Sequence, residues 1–247
     1  MGRDEHWAQR AGHPLRTALR AAGLDVVRFP RGPIAEHLNG LGIDMVIDVG
    51  ANEGQYASQL REYGFTGRIH SFEPGAAAFS ALQRAASGDP RWTCHPQACG
   101  REHTTMELGV SAYSVFSSLR AVRPDTVALT SEAGVVRRER VDVRRLDELW
   151  QELALDGQRV WVKSDTQGSD RDVLLGLGAR LASVIGVQIE MSVVPLYEGQ
   201  PSWTEMMAWL ETEGFALSSV VPGFRDPARW RLMEMDGLFV NQQQLAR

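Results

Sequence analysis

The alternation of short apolar runs with helix-forming segments is the feature that most constrains the fold of this chain. Short buried strands that alternate with helices are typical of a parallel, doubly wound sheet. Near the C-terminus, the strand-like runs "FALSSVV" and "MDGLFVN" are separated only by a loop, which predicts an antiparallel addition at one edge. The predicted strands are 45–49, 68–73, 92–98, 139–143, 159–164 and 185–190, and the predicted helices are 14–22, 34–40, 53–63, 76–86, 146–153, 169–182 and 202–213.

The domain organisation predicted from these elements is simple. The chain of 247 residues contains no internal repeat, low-complexity tract or obvious linker. We therefore predict one α/β domain over residues 43–247, which is large enough to bury a substantial core. Residues 1–42 precede the first strand and are predicted to form an N-terminal helical extension. Such an extension can act as a lid or as a subunit contact, and the sequence leaves both alternatives, and therefore an oligomer, open.

Charge and composition argue against two classes of partner. The formal net charge is −5, which gives no general attraction to nucleic acid or to anionic membranes. No apolar run approaches the roughly 20 residues of a membrane helix. The first residues lack the apolar core of a signal peptide, and Cys94 and Cys99 fit reduced thiols better than a disulfide framework. We therefore expect a cytoplasmic protein with neither nucleic acid nor a membrane as its partner.

The segment "DVGANEGQY", residues 48–56, predicts a ligand-binding turn. It joins a strand to a helix, and ligands of open α/β sheets bind outside the carboxyl ends of the strands. Gly50 and Gly54 allow the backbone to approach a ligand closely, and Asn52 tolerates left-handed backbone. The helix offers unpaired N–H groups at its start. The alternative is a tight structural turn without a ligand.

A carboxylate at the end of the second strand supports the ligand-binding interpretation. Glu73 in "IHSFEP" follows the turn by about 20 residues, the distance at which Rossmann-like folds place an acid that binds ribose hydroxyls. Both hydroxyls of a ribose can donate to one carboxylate. The alternative is a solvated acid in front of Pro74.

The turn also narrows the type of nucleoside ligand. A dinucleotide fingerprint reads G-x-G-x-x-G and holds a pyrophosphate, whereas this turn has another spacing and carries the carboxylate of Asp48 beside it. A ligand with an ammonium group and no phosphate fits better, and S-adenosylmethionine is such a ligand. An NAD-dependent oxidoreductase and a non-catalytic nucleoside-binding module stay open, although the Tyr-x-x-x-Lys pattern does not precede Lys163, the only lysine.

Several blocks of the sequence resemble a known family. They are "VIDVGANEGQYA", "SFEP", "VKSDTQGSDRDVLLGLG", "VQIEMSVVPLYEGQP" and "PGFRDPARWRLMEMDGLFV". Together they resemble the FkbM family of S-adenosylmethionine-dependent O-methyltransferases, over roughly Leu15 to Val240. The resemblance implies a class I methyltransferase fold, a Rossmann-like seven-stranded sheet whose last strand is antiparallel. It also implies methylation of a hydroxyl on a small-molecule acceptor, such as a polyketide, a sugar or another secondary metabolite.

The resemblance also implies which residues contact the cofactor. The first motif maps onto the turn at residues 48–56, the ribose acid onto Glu73, and the adenine contact onto the block "PQACG". The residues expected to bind the cofactor are therefore Asp48, Gly50, Ala51, Asn52, Gly54, Tyr56, Glu73, Pro74, Gln97, Ala98 and Asp165. One departure is that Ser164 and Ser169–Asp170 replace the family's usual apolar and aromatic–Glu positions, which affects local packing and the shape of the acceptor site.

Methyl transfer to a hydroxyl requires a group that removes its proton. The strand "VWVKSD" places Lys163 and Asp165 on one side, because side chains alternate along a strand. We predict Asp165 as the base. Lys163 is predicted either to tune Asp165 or to stabilise a developing alkoxide, as a compact cation that the fork of arginine replaces poorly. The alternative is a structural ion pair at the strand end.

A second carboxylate, Glu190, closes the neighbouring predicted strand. It is predicted either as a further catalytic group or as the anchor of the loop 191–201. Carboxylate oxygens are ligands that Mg²⁺ prefers, so Asp165 and Glu190, joined by Asp236, could instead hold a magnesium ion. The sequence leaves the metal open.

The acceptor is expected to contact the irregular segments. "SAYSVFSSL" and "SVVPLYEGQPSW" combine hydroxyl groups with aromatic rings, which suits an amphipathic small molecule. The residues predicted to bind it are Ser117, Ser118, Gln167, Tyr197 and Trp203.

Overall fold

The computed structural model describes residues 33–226 and 228–245. The strands are β1 (Met45–Val49), β2 (Arg68–Phe72), β3 (Trp92–His95), β4 (Ala98–Cys99), β5 (Thr104–Ser111), β6 (Val135–Arg144), β7 (Val160–Ser164), β8 (Gly186–Ser192), β9 (Phe215–Pro222), β10 (Arg225–Asp226), β11 (Arg231–Leu232) and β12 (Glu234–Asn241). The helices are α1 (Pro33–Gly40), α2 (Gln55–Glu62), α3 (Ala76–Ala86), α4 (Pro124–Leu129), α5 (Leu146–Leu149), α6 (Asp170–Leu175), α7 (Trp203–Thr212) and α8 (Gln242–Leu245).

The main sheet has seven strands in the order β3-β2-β1-β7-β8-β12-β9. The first five of these are parallel, and β12 runs antiparallel to both β8 and β9. The predicted doubly wound, Rossmann-like sheet with an antiparallel last strand is therefore confirmed.

The strand order places the switch point of the sheet at β1. The chain continues from β1 through β2 to β3 on one side and then crosses back to β7 on the other side of β1. Asp48 consequently pairs in register with Ser71 on β2 and with Lys163 on β7. A crevice outside the carboxyl ends of the strands at such a point is where open α/β sheets bind ligands.

The core lies on both faces of the main sheet, because successive side chains of a buried strand point to opposite faces. On one face, Ile47 and Val162 pack in a cluster with α5, α6 and α7. On the other face, Val46 and Trp161 pack with α1, α2 and α3. Every residue of β1 is buried, which explains why the strand reads as a continuous apolar run interrupted only by Asp48.

A second, three-stranded sheet in the order β4-β6-β5 was not predicted. No strand or helix was predicted in the stretch 101–135, yet it contains β5 and α4. Met106, Leu108 and Val110 of β5 do alternate with polar residues or glycine, which is the pattern of a strand, and the prediction overlooked it. The predicted strand 139–143 is present as part of β6, but it belongs to this small sheet and not to the main sheet. The predicted strand 92–98 is divided at Pro96, which cannot donate a ladder hydrogen bond.

Two of the predicted helices are shorter than expected. Helix 146–153 is reduced to α5, and helix 169–182 is divided into α6 and a 3₁₀ segment, Gly178–Ser183. Gly178 has a φ of +50°, a left-handed conformation that ends the preceding helical segment.

Only part of the predicted N-terminal helical extension lies within the described residues. Helix 14–22 lies outside the described residues. Helix 34–40 is present as α1, and its Ala35 and Leu38 are buried in the same cluster as Val46. The role of the extension as a lid or a subunit contact remains a prediction.

Within the described ranges, no helix has the length and apolar character that a bilayer crossing requires. Cys94 and Cys99 are free thiols.

Gly186→Ala is expected to lower the free energy of unfolding by about 1–3 kcal/mol, the usual cost of overpacking a core. A Cβ there would overlap the ring of Trp161 and lie 2.5 Å from the carbonyl oxygen of Phe239. Denaturant unfolding followed by circular dichroism measures the change. The control is Gly88→Ala, since a Cβ at that exposed site meets nothing within 4 Å. Equal midpoints for the two variants would contradict the described packing of β8.

Candidate functional site

The turn after β1 brings the backbones of two loops into contact. Gly50 has a φ of +74°, and a Cβ there would overlap the carbonyl oxygen of Asp165. The N–H of Asp165 donates to the carbonyl of Val49 at 3.0 Å. Asn52 has a φ of +47°, as the left-handed tolerance of asparagine predicts. The turn and the segment after β7 therefore form one continuous wall.

Glu73 lies against this wall with both carboxylate oxygens engaged. Its Oε2 accepts the N–H of Asn52 at 2.9 Å, and its Oε1 accepts the N–H of Gly75 at 2.7 Å. Burial raises the pKa of Glu73 to about 7, although the two N–H donors oppose that shift. The carboxylate is thus fixed in orientation, and each oxygen retains a lone pair for a further donor.

Lys163 occupies the centre of the site. Its Nζ lies 3.3 Å from Asp48 Oδ1, 3.5 Å from Asp165 Oδ2 and 3.4 Å from the carbonyl oxygen of Gly50. Burial lowers the pKa of Lys163, but the carboxylates of Asp165, Asp48 and Asp236 outweigh that effect, and the net pKa is raised. Lys163 is therefore an ammonium ion that joins β1, β7 and the turn.

Asp48 differs from its predicted role. Its side chain is fully buried, and it accepts the hydroxyl of Ser71 at 3.0 Å. Burial raises the pKa of Asp48, and the neighbouring Lys163 opposes that rise. The carboxylate of Asp48 beside the turn was expected to suit the ammonium group of a ligand. Because Asp48 is covered and paired with Lys163, it cannot contact such a group directly.

A cavity of about 730 Å³ opens at the carboxyl ends of β1, β2, β7 and β8. The predicted site residues that line it are Gly50, Ala51, Asn52, Tyr56, Glu73, Pro74, Ala98, Ser117, Ser118, Lys163, Asp165, Gln167, Glu190 and Asp236. The predicted site residues that do not line it are Asp48, Gly54, Gln97, Tyr197 and Trp203.

The four residues besides Asp48 are kept from the cavity by local packing. Gly54 faces Trp92 and Leu82. Gln97 stands one residue before β4, and its neighbour Ala98 lines the cavity instead. Tyr197 is fully buried, and Trp203 starts α7 and packs against the core.

Two glutamines connect the cavity carboxylates to tyrosine hydroxyls. Nε2 of Gln167 donates to Asp165 Oδ1 at 2.9 Å and to Glu190 Oε2 at 2.8 Å, and its Oε1 accepts the hydroxyl of Tyr197 at 2.7 Å. In a second set of hydrogen bonds, Gln188 accepts the hydroxyl of Tyr56 at 3.1 Å and donates to Asp236 at 3.0 Å.

Sequence reasoning missed several residues at the carboxylate end of the cavity. Gln188 and Glu234 both line it. A signal was present, because alternation along a strand puts Gln188 on the face of Glu190 and Glu234 on the face of Asp236. Phe224, from the loop between β9 and β10, also lines the cavity and carries no comparable pattern.

At the carboxylate end of the cavity, burial and the charges of neighbouring carboxylates raise the pKa values of the acids. Burial, followed by the charge of Asp165, raises the pKa of Glu190 well above its ordinary value. The same two causes raise the pKa of Glu234 to about 8 and that of Asp236 to about 6. At neutral pH, protons therefore reside on some of these acids, which reduces their mutual repulsion.

Amide groups separate the carboxylates that were considered as magnesium ligands. In the ranges 33–226 and 228–245, no group of three or more His, Cys, Asp or Glu side chains is placed to hold a metal ion. Asp165, Glu190 and Asp236 line one cavity, but the amide of Gln167 stands between the first two and Gln188 binds the third. Amide N–H donors bind one oxygen of each of these carboxylates, and a magnesium site formed by the three remains a prediction.

Comparisons with known proteins agree with this geometry. The model of the methyltransferase FkbM domain matches residues 48–217. Methyltransferase 1 of Beauveria bassiana (strain ARSEF 2860) is 23% identical over 193 residues, which cover 74% of this chain and 76% of that protein.

Solved structures of methyltransferases are also similar to this chain. Magnesium protoporphyrin IX methyltransferase from Synechocystis PCC 6803, with bound SAM, has a TM-score of 0.46 and 11% identity, over 98% of this chain and 86% of that chain. An rRNA methylase from Streptococcus thermophilus has a TM-score of 0.46 and 7% identity, over 87% of this chain and 98% of that chain.

The thermal stability of the free protein is expected to fall as the pH rises from about 4.5 to 8. The pKa of Glu234 is about 8 in the fold against an ordinary 4.5, so the folded chain holds a proton that the unfolded chain releases. That contribution to stability is complete below about pH 4.5 and is lost as the pH rises through about 8. Scanning calorimetry at a series of pH values measures the slope.

Glu234→Gln should flatten this slope, because glutamine stays neutral at every pH. Glu213→Gln makes the same chemical change at an exposed position and should leave the slope as in the wild type. Identical slopes in Glu234→Gln and the wild type would show that Glu234 does not hold its proton in the fold.

Proposed function

The chain belongs to the FkbM family of S-adenosylmethionine-dependent methyltransferases, and from this premise we propose that it methylates a hydroxyl group of a small-molecule acceptor. The oxidoreductase and the non-catalytic module considered from the sequence are not retained, since the family is one of methyltransferases. A secondary metabolite, such as a polyketide, a sugar or a glycosylated product, is the proposed class of acceptor.

The observation that carries this proposal is the single cavity shared by Glu73 and the carboxylates around Asp165. Its volume of about 730 Å³ falls in the usual range of small-molecule sites, about 300–1,000 Å³. Glu73 supplies a nucleoside-binding end, and Asp165 with Glu190 supplies an end where a hydroxyl can lose its proton. One cavity can thus receive a cofactor and a small acceptor side by side.

The residues present fit S-adenosylmethionine. Glu73 is held by two backbone N–H groups and retains lone pairs for two ribose hydroxyls. The side-chain oxygen of Asn52 is buried and accepts no hydrogen bond from the described residues, so it offers an acceptor to a ligand donor. When bound, S-adenosylmethionine supplies the activated methyl group.

The acceptor end has the character of a site for a small hydroxylated molecule. Its lining combines the aromatic rings of Tyr113, Phe116 and Phe224 with the hydroxyls of Ser117 and Ser118. Such a surface can cover an apolar body, and the hydroxyl of Ser117 can donate to its oxygens, whereas that of Ser118 already donates to the carbonyl of Gln167. The surplus of carboxylates in the cavity supports a small molecule over a nucleic acid, whose phosphates they would repel.

Asp165 is the proposed base. It lines the cavity, and 37% of its side chain is exposed, against none of Asp48. Gln167 fixes one of its oxygens and Lys163 lies 3.5 Å from the other. Lys163 is thereby proposed to hold the base in place. Glu190 is the second carboxylate that could accept the proton.

We further propose that the protein acts in the cytoplasm, where free thiols such as Cys94 and Cys99 persist.

Binding of S-adenosylhomocysteine is expected to strengthen as the pH rises to about 7 and then to level off. Ribose hydroxyls donate to an ionised carboxylate, and the pKa of Glu73 is about 7 in the free protein, so binding at lower pH must first remove a proton. Isothermal titration calorimetry between pH 5.5 and 8.5 measures the affinity.

Glu73→Gln should bind more weakly above pH 7, by about 1–3 kcal/mol for the lost charged acceptor, and its affinity should vary less with pH. Glu62→Gln, at the end of α2 and away from the cavity lining, serves as the matched control. Wild-type affinity in Glu73→Gln would exclude Glu73 as the ribose acceptor.

Asp165→Asn is expected to reduce turnover by roughly 10²–10⁴-fold, the range for a lost general base, while S-adenosylhomocysteine still binds. Asparagine keeps the size and a hydrogen-bond acceptor but no basic charge. The release of S-adenosylhomocysteine in the presence of an acceptor that the wild type methylates measures the rate. Asp125→Asn, at an exposed position of α4, is the control, and an Asp165→Asn variant as fast as this control would move the base to Glu190.

A further inference from the structure

Gln167 is held more tightly than a residue that contacts an acceptor needs to be. Its φ of +54° is left-handed, and its side chain is 9% exposed. The hydroxyl of Ser118 donates to the carbonyl oxygen of Gln167 at 2.7 Å. The neighbouring Gly168 has a φ of +96°, and a Cβ at this position would lie 3.1 Å from the Cβ of Tyr197. Both the main chain and the side chain of Gln167 are therefore fixed.

The amide of Gln167 has its two donors directed at two different carboxylates. Nε2 lies 2.9 Å from Asp165 Oδ1 and 2.8 Å from Glu190 Oε2. An amide nitrogen carries two hydrogens, so both are used. The other oxygen of Asp165 lies 3.5 Å from Lys163 Nζ, and the carboxyl plane of Asp165 is thus defined by a contact on each oxygen.

The two carboxylates and Tyr197 together determine which way this amide faces. The hydroxyl of Tyr197 lies 2.7 Å from Gln167 Oε1 and 3.2 Å from the carbonyl oxygen of Phe116, and its single proton is directed to the nearer of the two oxygens. A reversed amide would direct its carbonyl oxygen at the oxygens of Asp165 and Glu190 and leave the proton of Tyr197 only the longer contact to Phe116. Because Tyr197 is completely buried, it cannot turn toward the cavity without unpacking its surroundings.

The same hydrogen-bond arrangement occurs a second time at Gln188, within the neighbouring strand β8. Gln188, 2% exposed, accepts the hydroxyl of Tyr56 and donates to Asp236. A tyrosine hydroxyl thus fixes an amide whose N–H group binds a cavity carboxylate in both cases. The repetition on separate elements indicates that orienting these carboxylates is a property of the site.

We propose that Gln167, oriented by Tyr197, is a positioning residue that holds Asp165 and Glu190 in the geometry for proton removal and does not itself bind the acceptor. This inference rests on the proposed function. It replaces the expectation that Gln167 and Tyr197 bind the acceptor.

The physical need for such a residue follows from the charges that face the pair. Glu190 is faced by Asp165 from the end of β7, by Asp170 from α6, and by Glu234 and Asp236 from β12. Lys163 is the cation in contact with Asp165. Two converging carboxylates without a donor between them repel or share a proton, whereas an amide nitrogen between them satisfies one oxygen of each.

The kinetic test uses Gln167→Leu and Tyr197→Phe. Gln167→Leu should lower kcat by about 10–100-fold, the scale on which small displacements of reacting groups act, with the acceptor KM within about threefold of the wild type. The ascending limb of its pH–rate profile should shift to higher pH, because losing a donor to an ionised carboxylate raises the pKa of that carboxylate. Tyr197→Phe should give a smaller loss of the same kind.

The double variant should be no slower than Gln167→Leu alone, because the two residues act through one amide. Gln151→Leu and Tyr63→Phe are the matched controls, since neither residue lines the cavity, and both should retain the wild-type profile. A raised acceptor KM with unchanged kcat would instead assign Gln167 to acceptor binding and overturn the proposal, as would additive losses in the double variant.

A measurement on the free protein separates this inference from the proposed function. Side-chain amide signals in ¹H–¹⁵N spectra, assigned to Gln167 by their loss in Gln167→Leu, should exchange with solvent far more slowly than those of the exposed Gln151. Tyr197→Phe should remove that protection while the melting temperature remains close to that of the wild type. Equally fast exchange of Gln167 and Gln151 would overturn the positioning role even if the protein methylates hydroxyls, and protected signals would support it even if the acceptor belongs to another class.

Discussion

One buried ammonium group joins the parts of the molecule that form the site. Lys163, the only lysine in the chain, lies between Asp48 of β1, Asp165 after β7, and the carbonyl of Gly50 in the turn. Removing any one partner of a buried ion pair leaves an uncompensated charge and costs several kcal/mol. The register of β1 against β7, and the close approach of the turn that only a glycine at position 50 allows, are therefore tied to the same charge.

The other polar groups of the site offset an excess of negative charge. Glu190, Glu234 and Asp236 face Asp165 across a cavity with one nearby ammonium group. Burial shifts their pKa values upward, so protons neutralise part of the excess, and the amides of Gln167 and Gln188 supply fixed donors to the rest. Tyr197 orients the amide of Gln167 from the buried side, whereas Tyr56, which contacts Gln188, itself lines the cavity.

The sequence predicted what local patterns determine. Strand β1 and helix α3 were predicted with their observed bounds, because their apolar residues follow the periodicity of a buried strand and an amphipathic helix. Lys163 and Asp165 were predicted on one side of β7 and lie in contact. The small sheet was missed although Met106, Leu108 and Val110 of β5 follow the period of a strand, because that short alternation was overlooked. The burial of Tyr197 and the pairing of Gln188 with Asp236 depend on the packing of segments distant in sequence, which no local pattern reveals.

We propose that S-adenosylmethionine binds between the turn after β1 and Glu73, with its reactive end toward Asp165. A crystal structure of the protein with S-adenosylhomocysteine tests this most directly. We expect ligand density in the cavity at the carboxyl ends of β1 and β7, with the ribose hydroxyls within hydrogen-bond distance of Glu73 and the sulfur on the side of Asp165. A ligand bound elsewhere, or one whose ribose lies away from Glu73, would contradict it.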